Sequence, residues 1–409
     1  MPSPVDSTNR LEEFRNNWPA LVGCLIGHGV GIHTLPPYTV GLFISPMGAE
    51  FGWSRISISI GVTVSTLGLA IGAPIAGALV NRLGERALIV FSILIVVAGY
   101  LALSAMGPSI GIYWAILLLT AMFGVGCSPV TLSRILVSVF DKSRGTALGI
   151  TLIGTGLAGT LPPLILAPVM ATYGWRAGYV ALAVIVAVAW PIILGLFVLN
   201  RVGKPHPPAA PTETPAAAIG VGELVQHPVL IRLMIAFFCV AIATGGVVVH
   251  FSPMLIDAGF SALQAGRMAS LIGISIIVGR LLTGIAIDHV FAPRLAMLLM
   301  GASAVGFVLL AVDGPPLIPY AALLVGMSLG AEIDLVIYLT SRYFLPHMYG
   351  RAFGVLYSSF LAGVAVSPVI YALLHAPVGN YTLGFVWAAV FLAIGAVLFA
   401  TLPKFPVRS

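Results

Sequence analysis

Twelve long apolar runs follow one another along this chain, and no other feature limits its possible folds as strongly. Each run reaches the roughly 20 residues that an α-helix needs to cross a bilayer. Because a backbone in lipid must satisfy its own hydrogen bonds, such runs form transmembrane helices. The runs cover residues 19–45, 56–80, 86–106, 111–138, 145–171 and 176–199, and then 229–256, 265–288, 293–312, 316–343, 350–374 and 380–402.

The composition supports the same conclusion. Of the 409 residues, 59% are hydrophobic and 8% are charged, and the mean hydropathy is +1.08, which lies outside the range of soluble domains. The first run is too long and too poorly flanked for a cleavable signal, so we expect it to remain as the first helix. The sequence therefore predicts an all-α membrane protein with twelve transmembrane helices.

The runs fall into two sets of six, separated by a stretch rich in Pro and Ala. Such a composition is typical of a polar linker without a packed core of its own. The predicted segments are an N-terminal stretch at 1–18, a first six-helix half at 19–200, a linker at 201–228, a second six-helix half at 229–403 and a tail at 404–409.

The distribution of basic residues predicts the topology. Most of the 19 Lys and Arg residues fall in one set of alternate loops and in both terminal stretches, whereas the other set holds only Arg55, Arg176 and Arg267. The positive-inside rule therefore places both termini and the linker in the cytoplasm, as expected for a protein of the inner (cytoplasmic) membrane. The cations form no stripe, so the net charge of +6 does not indicate a nucleic-acid partner.

Four charged residues remain inside the runs, namely Arg134, Arg280, Glu332 and Asp334. Arg280 lies near the middle of the eighth run, where a cation costs about 2.5–3.5 kcal/mol on insertion scales. It needs a partner, a water-filled cavity or an anionic ligand, and its planar fork suits a carboxylate. The alternative is a structural ion pair with Glu332 or Asp334, and both interpretations hold if that pair opens on binding.

Acids and histidines inside the runs are candidates for proton transfer. Glu332 and Asp334 are two positions apart, about 200° around a helix, so they cannot both face one cavity. Buried carboxyls can take up protons, and the ordinary pKa of histidine, about 6.5, makes His28, His33 and His250 candidate proton carriers. The alternative for each of these residues is a side chain that is hydrogen-bonded between helices.

Other residues of the runs have structural explanations as well as functional ones. Arg134 lies close enough to a helix end to extend its side chain to the membrane surface, so we interpret it as structural or gating. Tyr38, Tyr338 and Tyr357 are candidates to line a substrate cavity, although packing explains aromatic residues equally well. The first run is interrupted by residues that permit a bend, namely Gly29, Gly31, Pro36 and Pro37.

The two halves repeat one pattern of glycines. Gly72 and Gly77 in the second run map onto Gly279 and Gly284 in the eighth run by one constant shift. Internal repeats of this kind are the sequence signature of secondary transporters. We therefore expect the halves to be copies of one six-helix unit.

The stretch Gly77-Ala-Leu-Val-Asn81-Arg82-Leu-Gly84-Glu85-Arg86, interpreted as the loop after the second helix, is similar to the G-x-L-x-D-R-x-G-R-R signature of the major facilitator superfamily. Asn81 stands where the acid is usual, and Glu85 where a base is usual. The repeat of this stretch in the second half ends in Asp288. The resemblance implies a conformational, gating role for Gly77, Asn81, Arg82, Gly84, Gly284 and Asp288.

Within that superfamily the chain most resembles the monocarboxylate-transporter-like group and its bacterial organic-anion relatives. The similarity is carried by Arg280, by His250-Phe-Ser-Pro253, and by Gly330-Ala-Glu332-Ile-Asp334 with the Tyr338 and Ser341–Phe344 positions that follow. It implies that Arg280 binds the substrate carboxylate. Animal members carry an aspartate where this chain has Ile276 and a lysine in the first helix, where this chain has none.

These observations predict a secondary transporter of small organic monocarboxylates, coupled to protons, with the carboxylate at Arg280 between two halves that rock to alternate access. His250, Tyr38, Tyr338 and Tyr357 complete the predicted substrate site. An organic-anion exchanger, an efflux carrier of the same superfamily and a non-transporting receptor or scaffold are the alternatives. The expected partners are the carboxylate, protons and the lipid bilayer. No enzymatic, cofactor or metal motif is recognised, and the three cysteines lie singly in separate runs.

Overall fold

The computed structural model describes residues 4–140, 143–200, 227–287, 289–312 and 315–406, and all regular structure in these ranges is helical. The α-helices are α1 Pro4–Gly29, α2 Leu35–Phe51, α3 Arg55–Leu83, α4 Glu85–Ala105, α5 Ile110–Phe123, α6 Pro129–Val139, α7 Arg144–Tyr173, α8 Trp175–Leu199, α9 Pro228–Asp257, α10 Ala262–Ala286, α11 Ala292–Ala311, α12 Ile318–Tyr343, α13 Pro346–His375 and α14 Thr382–Ala400. Short 3₁₀ turns occupy Gly124–Cys127 and Pro315–Leu317.

Eleven stretches of the described chain are long and apolar enough to cross a membrane. They correspond to the second to twelfth predicted runs, and the protein is therefore a multi-pass membrane protein. The first run does not appear as one continuous span because it is divided between α1 and α2. The Thr34 hydroxyl fills this break by donating to the carbonyl of His28 at 2.7 Å. The interruption expected from the Gly and Pro residues of this run is confirmed.

A second break, in the fourth run, was not predicted from the sequence. The 3₁₀ turn Gly124–Cys127 separates α5 from α6. The Ser92 hydroxyl of α4 donates to the Phe123 carbonyl at 2.8 Å and accepts from the Gly126 amide at 3.0 Å. This one side chain therefore satisfies two backbone groups that the interrupted helix leaves unpaired.

The chain forms two compact units, Met1–Ala209 and Ala210–Ser409. In the first unit α1 packs on α7 and α3 on α5, and in the second unit α9 packs on α13 and α10 on α12. The repeated glycines occupy matching contacts, since a Cβ atom at Gly72 would collide with the Met122 carbonyl and one at Gly279 with the Met327 carbonyl. Each unit therefore needs glycine where two of its helices touch backbone to backbone.

A polar link joins the ends of two helices in the first unit. Glu50, at the exposed end of α2, accepts hydrogen bonds from the Trp175 indole at 2.6 Å and from the Arg176 guanidinium at 2.8 Å. These two hydrogen bonds, with the Trp175 bond contributing most, lower the pKa of the Glu50 carboxyl. The carboxylate form of Glu50 is therefore the one that this link favours.

Candidate functional site

Arg280 lies on the face of α10 that packs against α12, and 4% of its surface is exposed. Two glycines one turn apart on α12, Gly326 and Gly330, allow the two backbones to touch. A Cβ atom at Gly330 would collide with the Ile276 carbonyl and would lie 2.9 Å from the Arg280 amide nitrogen. One further turn along α12 is Asp334, and the close approach of the helices brings its carboxylate within reach of Arg280.

Arg280 and Asp334 form a largely buried ion pair in the second unit. The Arg280 Nη1 atom donates to Oδ1 of Asp334 at 3.3 Å, and the Asp334 side chain keeps 19% exposure. The Nε atom of Arg280 is buried and has no hydrogen-bond partner among the residues that the structure describes. A guanidinium carries five N–H donors, so this contact leaves capacity for a second anionic partner.

Thr283 was not predicted as part of the site. It lies three residues after Arg280, a spacing that places both side chains on one face of α10. Its side chain is 1% exposed, and its hydroxyl has no hydrogen-bond partner in the described part of the chain. The sequence signal was this i, i+3 spacing, which is hard to distinguish from ordinary helix packing.

Glu332 lies on a different face of α12 from Asp334, as the spacing of two residues requires. Its side chain is 3% exposed, and its Oε1 atom has no hydrogen-bond partner within the described ranges. The Thr244 side chain of α9 lies beside its carboxyl group, but the Thr244 hydroxyl already donates to the Val240 carbonyl at 2.9 Å. The structure therefore places two acids near one buried cation and pairs only Asp334 with it.

His250 is held between helices through both ring nitrogens. Its Nε2 atom is 2.8 Å from the Pro368 carbonyl, and its Nδ1 atom is 3.0 Å from the Tyr381 hydroxyl. A carbonyl accepts only, so Nε2 carries the proton and the tyrosine hydroxyl donates to Nδ1. This geometry matches the alternative interpretation of a histidine bonded between helices, and we do not retain His250 as a substrate ligand.

His28 and His33 face each other at the break between α1 and α2. The Nδ1 atom of His28 lies 3.4 Å from Nε2 of His33, and the rings meet edge to face. Both residues belong to the first unit. The structure therefore brings these two proton-transfer candidates together in the first unit, whereas the acids of α12 belong to the second unit.

Tyr338 and Tyr357, which were predicted to line the cavity, pack against other aromatic rings. Tyr338 lies near the ring of Phe405 and below the guanidinium of Arg342. Tyr357 stacks between Phe353 and Phe360 on its own helix. Packing accounts for both positions. Tyr38 is partly buried in α2, and its predicted role stays a hypothesis.

The predicted gating residues of the first unit lie at or near the junction of α3 and α4. The interpretation of Gly77–Arg86 as a loop is wrong, because α3 continues through Gly77, Asn81 and Arg82 to Leu83 and only Gly84 lies between the helices. Gly84 adopts a left-handed φ of 78°, which favours glycine. Arg134 of α6 lies 4.0 Å from the Glu85 carboxylate, and Gly284 has open space around it. Asp288 lies outside the described residues.

Comparisons with known proteins show the family of this chain. Residues 29–368 match the family model of the Major Facilitator Superfamily. Monocarboxylate transporter 11 of Mus musculus is 26% identical over 378 residues, which cover 83% of this chain and 78% of that protein. Monocarboxylate transporter 13 of Bos taurus is 26% identical over 358 residues, covering 84% and 80%.

A solved structure of similar fold is the peptide transporter POT in complex with sulfate. Its TM-score is 0.71 at 15% sequence identity, and the alignment covers 93% of this chain and 94% of that one. This likeness supports the helical fold alone, while the family model covers most of the chain. The protein is therefore a transporter and not an enzyme, and it belongs to the Major Facilitator Superfamily.

Proposed function

We propose that this protein is a secondary transporter of small organic monocarboxylates, with Arg280 as the group that binds the carboxylate. The observation that carries the proposal is the buried guanidinium of Arg280. Its Nη1 atom donates to Asp334, and its Nε atom has no hydrogen-bond partner in the part of the chain that the structure describes. A carboxylate can accept two parallel hydrogen bonds from such a group. The names of the two monocarboxylate transporters above support the same substrate class.

The charge of the site favours one carboxylate over two. Among the described residues of the second unit, Arg280 is the only buried arginine or lysine. A second carboxylate on the substrate would have to be buried without a cation, at a cost of several kcal/mol. Monocarboxylates are therefore preferred to dicarboxylates.

The same charge balance supports proton coupling through Asp334. Without substrate, Arg280 and Asp334 neutralise each other. A substrate carboxylate that binds Arg280 through its remaining N–H groups and then takes the place of Asp334 leaves this acid without its cation, and a proton restores neutrality. Asp334 keeps 19% exposure, which gives the proton a route, and Glu332 is the alternative carrier. The transport is then electroneutral, with one proton for each monocarboxylate.

The basic residues of alternate loops support a location in the inner (cytoplasmic) membrane with both termini in the cytoplasm. In this orientation the protein would move substrate and proton by alternating access. Reporter groups fused to each terminus test the orientation. A terminus on the other side of the membrane would contradict it.

The test is a flux assay in proteoliposomes with a panel of monocarboxylates and dicarboxylates, with and without an inward proton gradient. We expect uptake of one or more monocarboxylates, stimulated by the gradient, and little uptake of dicarboxylates. If monocarboxylates move but the gradient has no effect, the protein is an exchanger or a facilitator, and the symport proposal fails. Absence of monocarboxylate flux from correctly inserted protein would exclude the substrate class.

Substitution of Arg280 tests the binding site itself. Arg280→Lys keeps the charge but loses the planar fork, so we expect most of the flux to be lost while the protein still inserts. The matched control is Arg267→Lys on the same helix, because Arg267 is exposed. Equal flux in the two variants would remove Arg280 from the site.

A further inference from the structure

A short segment after α14 crosses the ends of other helices in the second unit. We call residues 401–406 the strap, because they no longer belong to the helix. The Arg232 guanidinium of α9 donates to the Thr401 carbonyl at 3.0 Å, and the Tyr343 hydroxyl of α12 donates to the Pro403 carbonyl at 2.6 Å. These two hydrogen bonds fix the first half of the strap to the ends of two helices.

Phe405 of the strap occupies a seat of aromatic rings at the same end of the unit. Its ring centroid lies 5.0 Å from that of Tyr343 and 5.0 Å from that of Phe291, which directly precedes α11. The Tyr338 ring is 6.4 Å away, and the Cζ atom of Arg342 lies 5.0 Å from the centroid of the Phe405 ring. A guanidinium over an aromatic face is attracted to it. Phe405 is therefore held by contacts from α12 and from the start of α11.

The seat belongs to the face of α12 that carries Asp334. Tyr338 and Arg342 follow Asp334 at steps of four residues, so the three side chains form one stripe along the helix. The Cζ atom of Arg342 lies 6.0 Å from the Tyr338 ring centroid, as expected for neighbours on one face. Asp334 keeps 19% exposure, and one turn further along the stripe Phe405 lies against Tyr338. The strap therefore covers the face of α12 directly beyond Asp334.

The two halves of the strap are held in different ways. Up to Pro403 the strap is hydrogen-bonded to α9 and α12, and Leu402 is 7% exposed. In the described part of the chain, the contacts of Phe405 are with aromatic rings and one guanidinium. Its side chain is only partly buried, and the neighbouring Lys404 is exposed. Phe405 can therefore leave its seat while the hydrogen bonds of the strap stay in place.

We propose that Phe405 is a lid on the face of α12 next to Asp334, and that it leaves its seat whenever this face opens to the solution. With Phe405 in its seat, Tyr338 is shielded and the route along α12 to Asp334 is closed. Phe405 contacts other protein groups and not the substrate. The inference goes beyond the proposed function, because it concerns access to the Arg280–Asp334 pair and holds for any substrate.

Thiol labelling of the full chain in lipid nanodiscs tests the proposal. Tyr338→Cys places a reporter on the covered face, and a water-soluble maleimide is the probe. We expect Tyr338→Cys with Phe405→Ala to label at least about fivefold faster than Tyr338→Cys alone, the effect of one lost aromatic pair on the fraction of open lid. The three native cysteines are buried, so the chain without the new cysteine gives the background.

The matched control removes an aromatic ring elsewhere in the second unit. Phe391 of α14 is partly buried and packs on Trp387 with ring centroids 4.7 Å apart. Phe391→Ala should leave the labelling of Tyr338→Cys unchanged. Phe405→Tyr keeps the ring in the seat and should label like the chain with Phe405.

Counterflow of a transported monocarboxylate in proteoliposomes provides the second readout. We expect Phe405→Ala to exchange substrate at least about twofold faster with an unchanged Kd, because the opening of a lid often limits turnover. Tyr343→Phe keeps its ring but loses the hydrogen bond to Pro403, so it should change labelling and counterflow in the same direction by a smaller factor. It also serves as the test if Phe405→Ala does not fold.

Equal labelling with and without the Phe405 ring would show that this residue only packs, and would overturn the proposal. Unchanged or slower counterflow in Phe405→Ala would identify the strap as a brace of the second unit and would also overturn it. If the wild type carries no monocarboxylate, the proposed function fails, and the labelling comparison alone decides whether Phe405 is a lid.

Discussion

Asp334→Asn should separate substrate binding from proton coupling. In the proposed cycle the substrate carboxylate displaces Asp334 from Arg280, and the released acid takes up the proton. Asparagine has a similar size and retains a carbonyl oxygen that can accept from Arg280. It carries no charge and binds no proton. The variant should therefore exchange substrate across the membrane but fail to accumulate it in response to a proton gradient.

The geometry of the ion pair sets the size of the effect. At 3.3 Å, two unit charges attract by about 5 kcal/mol at an effective dielectric constant of about 20, before the loss of hydration is counted. After that loss, a charged hydrogen bond contributes about 1.5–3 kcal/mol and a neutral one about 0.5–1.5 kcal/mol. In the variant the substrate displaces an asparagine that binds Arg280 about 1.4 kcal/mol more weakly than the aspartate does. The substrate Kd should therefore fall about tenfold.

The variant should also be less stable when no substrate is present. Arg280 is 4% exposed and would lack its counter-charge, and breaking a buried pair by removing one partner costs about 3–5 kcal/mol. The amide recovers part of this loss. We expect a lower Tm that a transported monocarboxylate restores, since a ligand that binds only the folded state stabilises it.

The assay compares two fluxes in proteoliposomes: uptake driven by a pH gradient, and counterflow at equal pH. The matched control is Glu332→Gln, a neutral replacement on the same helix for the acid that Arg280 does not bond. If Asp334→Asn still accumulates substrate in response to the gradient, Asp334 is not the proton carrier. If only Glu332→Gln loses the gradient dependence, Glu332 is the proton carrier.

Three further predictions follow from the contacts described above. Gly330→Ala should destabilise the protein by about 1–3 kcal/mol, because overpacking forces α10 and α12 apart, whereas Gly284→Ala, which has open space, should be neutral or stabilising in thermal melts. His250→Phe should cost about 1–3 kcal/mol for each partner left unpaired and leave the substrate Kd unchanged; a weaker Kd would return His250 to the substrate site. Because the pKa of Glu50 is lowered on folding, its carboxylate stabilises the folded state at pH values above the unfolded pKa of about 4.3. This stabilisation is lost as the pH falls through the folded pKa. The Tm difference between wild type and Glu50→Gln should therefore vanish in acid, and a difference independent of pH would contradict this assignment.

The helical class and the candidate cation could be predicted from sequence because lipid imposes strict rules. A run of about 20 apolar residues has no alternative to a helix in a bilayer, and a charge such as Arg280 inside it is costly wherever the helix packs. The break in the first run was also predictable, since glycine and proline act through their own backbone. These features depend on local sequence and on the solvent.

The break in the fourth run depended on a residue from another helix. Gly124 and Gly126 alone do not end a helix in an apolar run, but the hydroxyl of Ser92 satisfies the groups that the break leaves unpaired. No periodicity in the fourth run announces a partner more than 30 positions away. For the same reason, the hydrogen bonds of Ser367 with Ile242 and Gly246 of α9 could not be predicted from the sequence.

Residue types and their spacing were enough to predict that one arginine and two acids lie in the membrane part of the second half, and that the acids point in different directions. The packing of the helices selected Asp334 as the partner of Arg280 and brought Pro368 and Tyr381 to the two ring nitrogens of His250. Glycine lets particular helices touch, and such contacts between distant parts of the chain decide which polar groups meet.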